Sequence, residues 1–202
     1  MGCDIHMFAE VRKSEKWEAV GKVFKNKYYE PDRENKIDED GFEWNPEFTS
    51  SPYTNRNYNL FAILADVRNG RGFAGIKTGE GFNPIASPKG LPKDISNEIL
   101  MIESCTVGED YTIETLKKWV ERGDSEWIIE NQICTSPDAH SASYFTLKEI
   151  LDFDWRQKTK FEDDVKLYSY SECVGNFLTE TIPTLQKLGN DEDVRIVFWF
   201  DN

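Results

Sequence analysis

The segment Val194-Arg195-Ile196-Val197-Phe198-Trp199-Phe200 constrains the fold more than any other stretch of the chain. Side chains alternate across an extended backbone, so Val194, Ile196, Phe198 and Phe200 share one face and Val197 and Trp199 the other. Apolar groups on both faces require cover on both faces, which places this strand in the interior of a sheet. A second alternating stretch opens the chain. Cys3, Ile5, Met7, Ala9 and Val11 form an apolar row, and Asp4, His6, Phe8 and Glu10 form the opposite one. This first strand is the natural neighbour of the last. It is expected to turn at Lys13-Ser14-Glu15-Lys16 into a hairpin partner, Trp17-Glu18-Ala19-Val20.

Between these strands the helix signals are sparse and unevenly spaced. Leu60, Ile63, Leu64 and Val67 make one stripe over 58–68, with Asn57 as cap and Asn69-Gly70 as stop. Further helices are expected from Asp94 or Ser96 through Ile102, over 112–122, over 146–153 behind the capping box Thr146-Leu-Lys-Glu149, and over 170–188. Pro183 is expected to kink or split the last of these. Trp127-Ile128-Ile129 reads as a short strand. Runs of helices between few strands, without regular alternation, indicate an α+β fold. The expected architecture is a small, mainly antiparallel sheet with the N- and C-terminal strands adjacent, covered by four to five helices. Residues 1–202 read as one domain with a long irregular insertion at about 25–55, where prolines, acids and aromatics show no period.

No apolar run approaches the length that crosses a bilayer, and no charged-then-apolar leader opens the chain. Met1-Gly2-Cys3 does not satisfy the myristoylation pattern, because His6 stands where Ser or Thr is required. Cys3, Cys105, Cys134 and Cys173 are widely separated and read as reduced thiols, not as a disulfide framework or a zinc knuckle. The expectation is a soluble, intracellular protein with no membrane partner.

The net charge of −13 opposes non-specific binding to nucleic acid, which needs a basic surface. The charge is unevenly spread. Residues 54–93 hold six Lys/Arg against two acids, a net of +4, which leaves −17 for the rest. A basic island in an acidic chain is the natural place for an anionic ligand. Six of the thirteen glycines lie between 70 and 90, and glycine lets backbone N–H groups approach a phosphate closely. Glycine clusters also simply mark turns, and this one matches neither the P-loop nor the dinucleotide fingerprint. Arg68, Arg71 and Lys77 are expected to converge on the anion. Arg56 is a lesser candidate, because it and Arg68 stand at opposite ends of one helix.

The two histidines form the second constellation. His6 in Asp4-Ile5-His6 and His140 in Asp138-Ala139-His140-Ser141 share an Asp-x-His spacing. They are expected within about 10 Å of each other, a gap that one metal or reacting group bridges. Asp4, His6, Asp138, His140 and Ser141 are then candidate catalytic residues, and His6 and His140 candidate ligands of a divalent metal. A histidine beside a carboxylate is also an ordinary packed or paired residue.

Four segments resemble a family of uncharacterised bacteriophage proteins beginning Met-Gly-Cys-Asp-Ile-His. They are Met1–His6, Arg56–Arg68, Pro88-Lys89-Gly90-Leu91-Pro92-Lys93-Asp94 and Asp138–Tyr144, about a quarter of the chain in order from end to end. The resemblance implies a phage or prophage origin, expression in the cytoplasm of a bacterial host, and one assembly uniting these segments. It implies no activity. Small phage proteins often antagonise host defences, including those that signal through nucleotides, which is association only. The leading expectation is a protein that binds a small phosphorylated or nucleotide-like ligand. The alternatives are a phosphodiesterase-like hydrolase using the two Asp-x-His segments, and an acidic inhibitor of a host protein. A homo-oligomer is compatible with each.

Overall fold

A computed structural model describes residues 2–21, 51–96, 98–99 and 140–201, together with the backbone of 23–25, 44–46, 104–106 and 133–135. The strands are β1 (Asp4–Lys13), β2 (Lys16–Ala19), β3 (Val23–Lys25), β4 (Trp44–Pro46), β5 (Ser104–Thr106), β6 (Ile133–Thr135), β7 (His140–Thr146), β8 (Lys158–Thr159), β9 (Tyr168–Ser169) and β10 (Val194–Asp201). The helices are α1 (Tyr58–Ala65), α2 (Leu147–Asp152), α3 (Tyr170–Cys173) and α4 (Ile182–Gln186). The fold is α+β. Its main sheet is four-stranded and antiparallel, in the order β2-β1-β10-β7, and three two-stranded ribbons pair β3 with β4, β5 with β6 and β8 with β9.

β10 lies between β1 and β7, as its two apolar faces require, and Val194 to Phe200 are all buried. The β1–β2 hairpin turns at Ser14 (φ 47°) and Glu15 (φ 69°). Both central residues of a type I′ turn take positive φ, and that turn's twist matches the flanking strands.

The two faces are covered differently. Ile5, Met7, Ala9, Ile196, Phe198, Phe200 and Phe145 pack against Leu60, Ile63 and Leu64 of α1, Leu147 and Ile150 of α2, Phe177, and Leu185 of α4. On the other face Phe8, Val197, Trp199 and Ala142 pack against Leu91, Ile95 and Ile99. Arg195 fastens this second cover although it is only 3% exposed. Its Nε donates to Glu10 Oε2 at 2.5 Å and its Nη1 to Asp94 Oδ1 at 2.7 Å. Glu10 Oε1 accepts from the Ser96 amide at 2.6 Å, and the guanidinium lies 4.1 Å over the Trp17 ring. A carboxylate that is 0% exposed is tolerated only with such partners.

Local signals decide most helix ends. Asn57 caps α1 and Thr146 closes its capping box on Glu149, both as expected. α1 ends sooner than the stripe implied, because Asp66 takes a left-handed C-cap at φ 60°. The expected helix over 170–188 is broken at a different place. Gly175 (φ 58°) separates α3 from a π-turn at Phe177–Thr181, and α4 follows. Pro183 sits in the first turn of α4, where its missing N–H leaves no hydrogen bond unmade. The expected helix 112–122, the strand at 127–129 and most of the insertion at 25–55 lie outside the described residues, as do Asn97 and 100–102 of the second helix. No described helix is long and apolar enough to cross a membrane.

Replacing Arg195 with Ala leaves Glu10 buried without its counter-charge. The expected cost is about 3–5 kcal/mol in urea unfolding. A loss below about 1 kcal/mol would show that the pair does not hold the 94–96 segment to the sheet.

Candidate functional site

The basic island forms a cleft of about 400 Å³ at the N-terminal end of α1. Arg56, Arg68 and Arg71 line it together with Tyr58, Phe82, Phe161 and the backbone of Gly70, Gly79 and Gly81. None of the described lining residues is acidic. Lys77 pairs with Arg71 across a β-bridge but does not line the cleft, so Arg56 takes the place expected for Lys77.

The reversal after α1 explains that correction. The helix is eight residues long, about 12 Å along its axis, and a straight continuation would hold Arg56 and Arg68 apart. Instead Asp66 (φ 60°) and Arg68 (φ 53°) both adopt the left-handed region, and the chain turns back along the helix. The Arg68 guanidinium then lies 5.0 Å over the ring of Tyr58, the first helical residue. It also stands beside the Cys3 thiol, which burial pushes up in pKa and Arg68 draws down. Asn57 ties the helix start to α3: its Oδ1 accepts from the Asn59 and Leu60 amides, and its Nδ2 donates to Cys173 O at 3.0 Å.

The glycines allow close backbone approach, and several of their polar groups are engaged within the loop itself. Thr78 N donates to Gly70 O, and Gly72 N donates to Ile76 O. A Cβ at Gly79 would stand 2.5 Å from Lys160 O, and one at Gly81 2.6 Å from Asn69 Oδ1. Asn69 clamps the loop shut: Phe82 N donates to its Oδ1 at 2.7 Å while its Nδ2 donates to Phe82 O at 2.7 Å. Glu80 N donates to Lys160 O, and Glu162 N donates to Thr78 O. These two bonds carry Phe161 to the cleft wall. Sequence reasoning read Asn69 only as part of a helix stop and did not find Phe161, because both contacts are long-range.

At the rim, Arg56 reaches the first residue of β1. Its Nε donates to Asp4 Oδ1 at 2.7 Å and its Nη2 to Asp4 Oδ2 at 2.5 Å. This fork holds the Asp4 carboxyl below its usual pKa, and both side chains are half-exposed. Asp201, unforeseen, receives the Asp4 amide on Oδ1 at 3.2 Å and contacts His6 Nε2 through Oδ2 at 3.0 Å.

The two histidines do not share a site. His6 is the cross-strand partner of Trp199 and stacks on it at 5.8 Å. His140 is the partner of Phe200 and stacks on that ring at 5.9 Å. Trp199 and Phe200 are successive residues of one strand, so the imidazoles lie on opposite faces of the sheet. The shared Asp-x-His spacing therefore brings no common ligand set, and a metal bridging His6 and His140 is ruled out by that register. Ser141 Oγ lies 3.0 Å from His140 Nδ1, at a left-handed residue (φ 54°) where β7 bulges. Asp138 lies outside the described residues. Among the described residues no three His, Cys, Asp or Glu side chains are grouped to hold a metal.

No family model, curated protein or solved structure matches the chain.

Gly81→Ala puts a methyl group against Asn69 at φ 86°. It is expected to cost about 1–3 kcal/mol in thermal unfolding. Gly75→Ala meets no atom within 4 Å and should cost less. Equal losses would mean that the Asn69–Phe82 clamp does not set the glycine requirement.

Proposed function

We propose that the protein binds a small phosphorylated, nucleotide-like ligand in the cleft of Arg56, Arg68 and Arg71. The observation that carries this reading is that three arginines line one concavity of a chain with net charge −13. Arginine presents a planar fork of donors that matches phosphate oxygens two at a time. Tyr58, Phe82 and Phe161 offer apolar surface in the same cleft, and aromatic rings beside a cationic wall suit a base joined to a phosphate. The bacteriophage resemblance extends the proposal to its setting: sequestering such a ligand inside a bacterial host would blunt a defence that signals through it.

Hydrolysis by the two Asp-x-His segments has less support, because the imidazoles face opposite ways. Inhibition of a host protein by the acidic surface has no particular group among the described residues to carry it.

Adenosine 5′-monophosphate serves as the probe, with calorimetry and a thermal melt on each variant. Each charge-assisted contact contributes about 1.5–3 kcal/mol, roughly ten- to a hundredfold in affinity. Arg71→Ala should therefore weaken binding at least about tenfold with an unchanged melting point. Lys77→Ala, outside the cleft, should leave affinity within about twofold of the parent. Equal affinities in the parent and Arg71→Ala would remove the basis for this function.

A further inference from the structure

Three aromatic rings stand among the described residues that line the cleft, Tyr58, Phe82 and Phe161, and they are not equally open to a ligand. The Tyr58 ring carries the Arg68 guanidinium 5.0 Å over it and meets Phe61 at 5.7 Å in a T-shaped pair, and its hydroxyl accepts the Cys3 amide at 3.4 Å. Phe82 is only 7% exposed and meets Tyr170 in a second T-shaped pair at 4.9 Å. Phe161 is part-exposed, and its ring packs at 5.3 Å against Tyr168, which does not line the cleft. Tyr168 is itself fixed, since its hydroxyl donates to Asp164 Oδ2 at 3.0 Å and the Lys166 ammonium lies 4.5 Å from its ring.

We propose that Phe161 is the stacking platform for an aromatic base and makes the cleft favour nucleoside phosphates over sugar phosphates. The inference rests on the cleft reading above and names the ligand class for it: a phosphate joined to a planar aromatic base. Arg71 pairs with Lys77 and Phe161 with Gly79 in two β-bridges, so cation and ring are set two residues apart along one run, about 7 Å of strand. A phosphate and a base on one ribose span a gap of that order. The bonds from Glu80 N to Lys160 O and from Glu162 N to Thr78 O fix the backbone on both sides of Phe161. Gly79 permits this approach, because a Cβ there would stand 2.5 Å from Lys160 O and 3.1 Å from the Phe161 Cα. A ring held in this way loses little freedom on binding. Stacking of a base on an aromatic ring is worth about tenfold or more in affinity and tolerates any base. The platform therefore selects for the presence of a base and not for which base it is.

The test uses the full chain with two probes, adenosine 5′-monophosphate and ribose 5-phosphate, titrated by calorimetry. They carry the same phosphate and differ in the base. The parent should bind the nucleotide about tenfold more tightly than the sugar phosphate. Phe161→Ala should bring the nucleotide down to the level of the sugar phosphate and leave the latter within about twofold of its parent affinity. Phe161→Tyr, which keeps the ring, should retain the preference. Phe82→Leu should lower the melting point and leave the preference intact, because that ring is buried. Ratios between two ligands on one protein sample do not depend on how much of a variant is folded. Equal affinity of the two probes for the parent overturns the platform, and so does a preference that survives in Phe161→Ala. If the parent binds both probes equally and Arg71→Ala loses both, the cleft stands as an anion site without a base subsite. If the parent binds neither probe, both readings fall together.

Discussion

A strand with apolar side chains on both faces obliges the remainder of the chain to build two covers, and the two covers here are of different kinds. β10 meets α1, α2 and α4 on one side and a segment carrying Leu91, Ile95 and Ile99 on the other. Helices supply enough apolar surface to hold themselves in place. On the second side the buried Glu10–Arg195 pair, with its bonds to Asp94 and the Ser96 amide, adds a polar fastening. Such a pair contributes little net stability while intact and much instability when one partner is lost. Its effect is to fix where the second cover sits.

The cleft follows from the first cover. α1 is packed against the sheet by Leu60, Ile63 and Leu64, so its polar N-terminal end emerges at the sheet's edge, close to the start of β1. The left-handed residues after it return the chain to that same end. Three arginines separated by as many as fifteen residues then border one space. The basic excess of residues 54–93 is thereby concentrated, with Asp4 at the rim paired to Arg56. Concentration of like charge in a cleft with low-dielectric walls strengthens the local field well beyond what the net charge indicates.

Strand patterning was the most legible part of the sequence. Alternation in 3–11 and 194–200 identified the central strand, its neighbour and the hairpin, because two-residue periodicity reports burial directly. The caps at Asn57 and Thr146 were equally readable, since each acts within three residues. The candidate site was legible in composition and not in geometry. Arg56 was undervalued because a helix was treated as a straight spacer, while the left-handed turn at Asp66 and Arg68 has no glycine to announce it. The glycine cluster is compatible from sequence with a phosphate cradle or with turns alone, and the clamp of Asn69 on Phe82 and the contact of Gly79 with Lys160 account for Gly81 and Gly79. The histidine pairing failed for a reason the chain does not carry locally. Which face His140 takes depends on its register against Phe200 and on the bulge at Ser141.

The central claim is that Arg56, Arg68 and Arg71 form one anion site. Nitrogen–proton NMR of the arginine side-chain Nε–H groups, titrated with adenosine 5′-monophosphate, tests it most directly. The account predicts saturable shifts at these three residues with a single dissociation constant, while Arg12, Arg156 and Arg195 stay unmoved. Shifts that do not saturate, or that fall equally on these six of the chain's eight arginines, would contradict it.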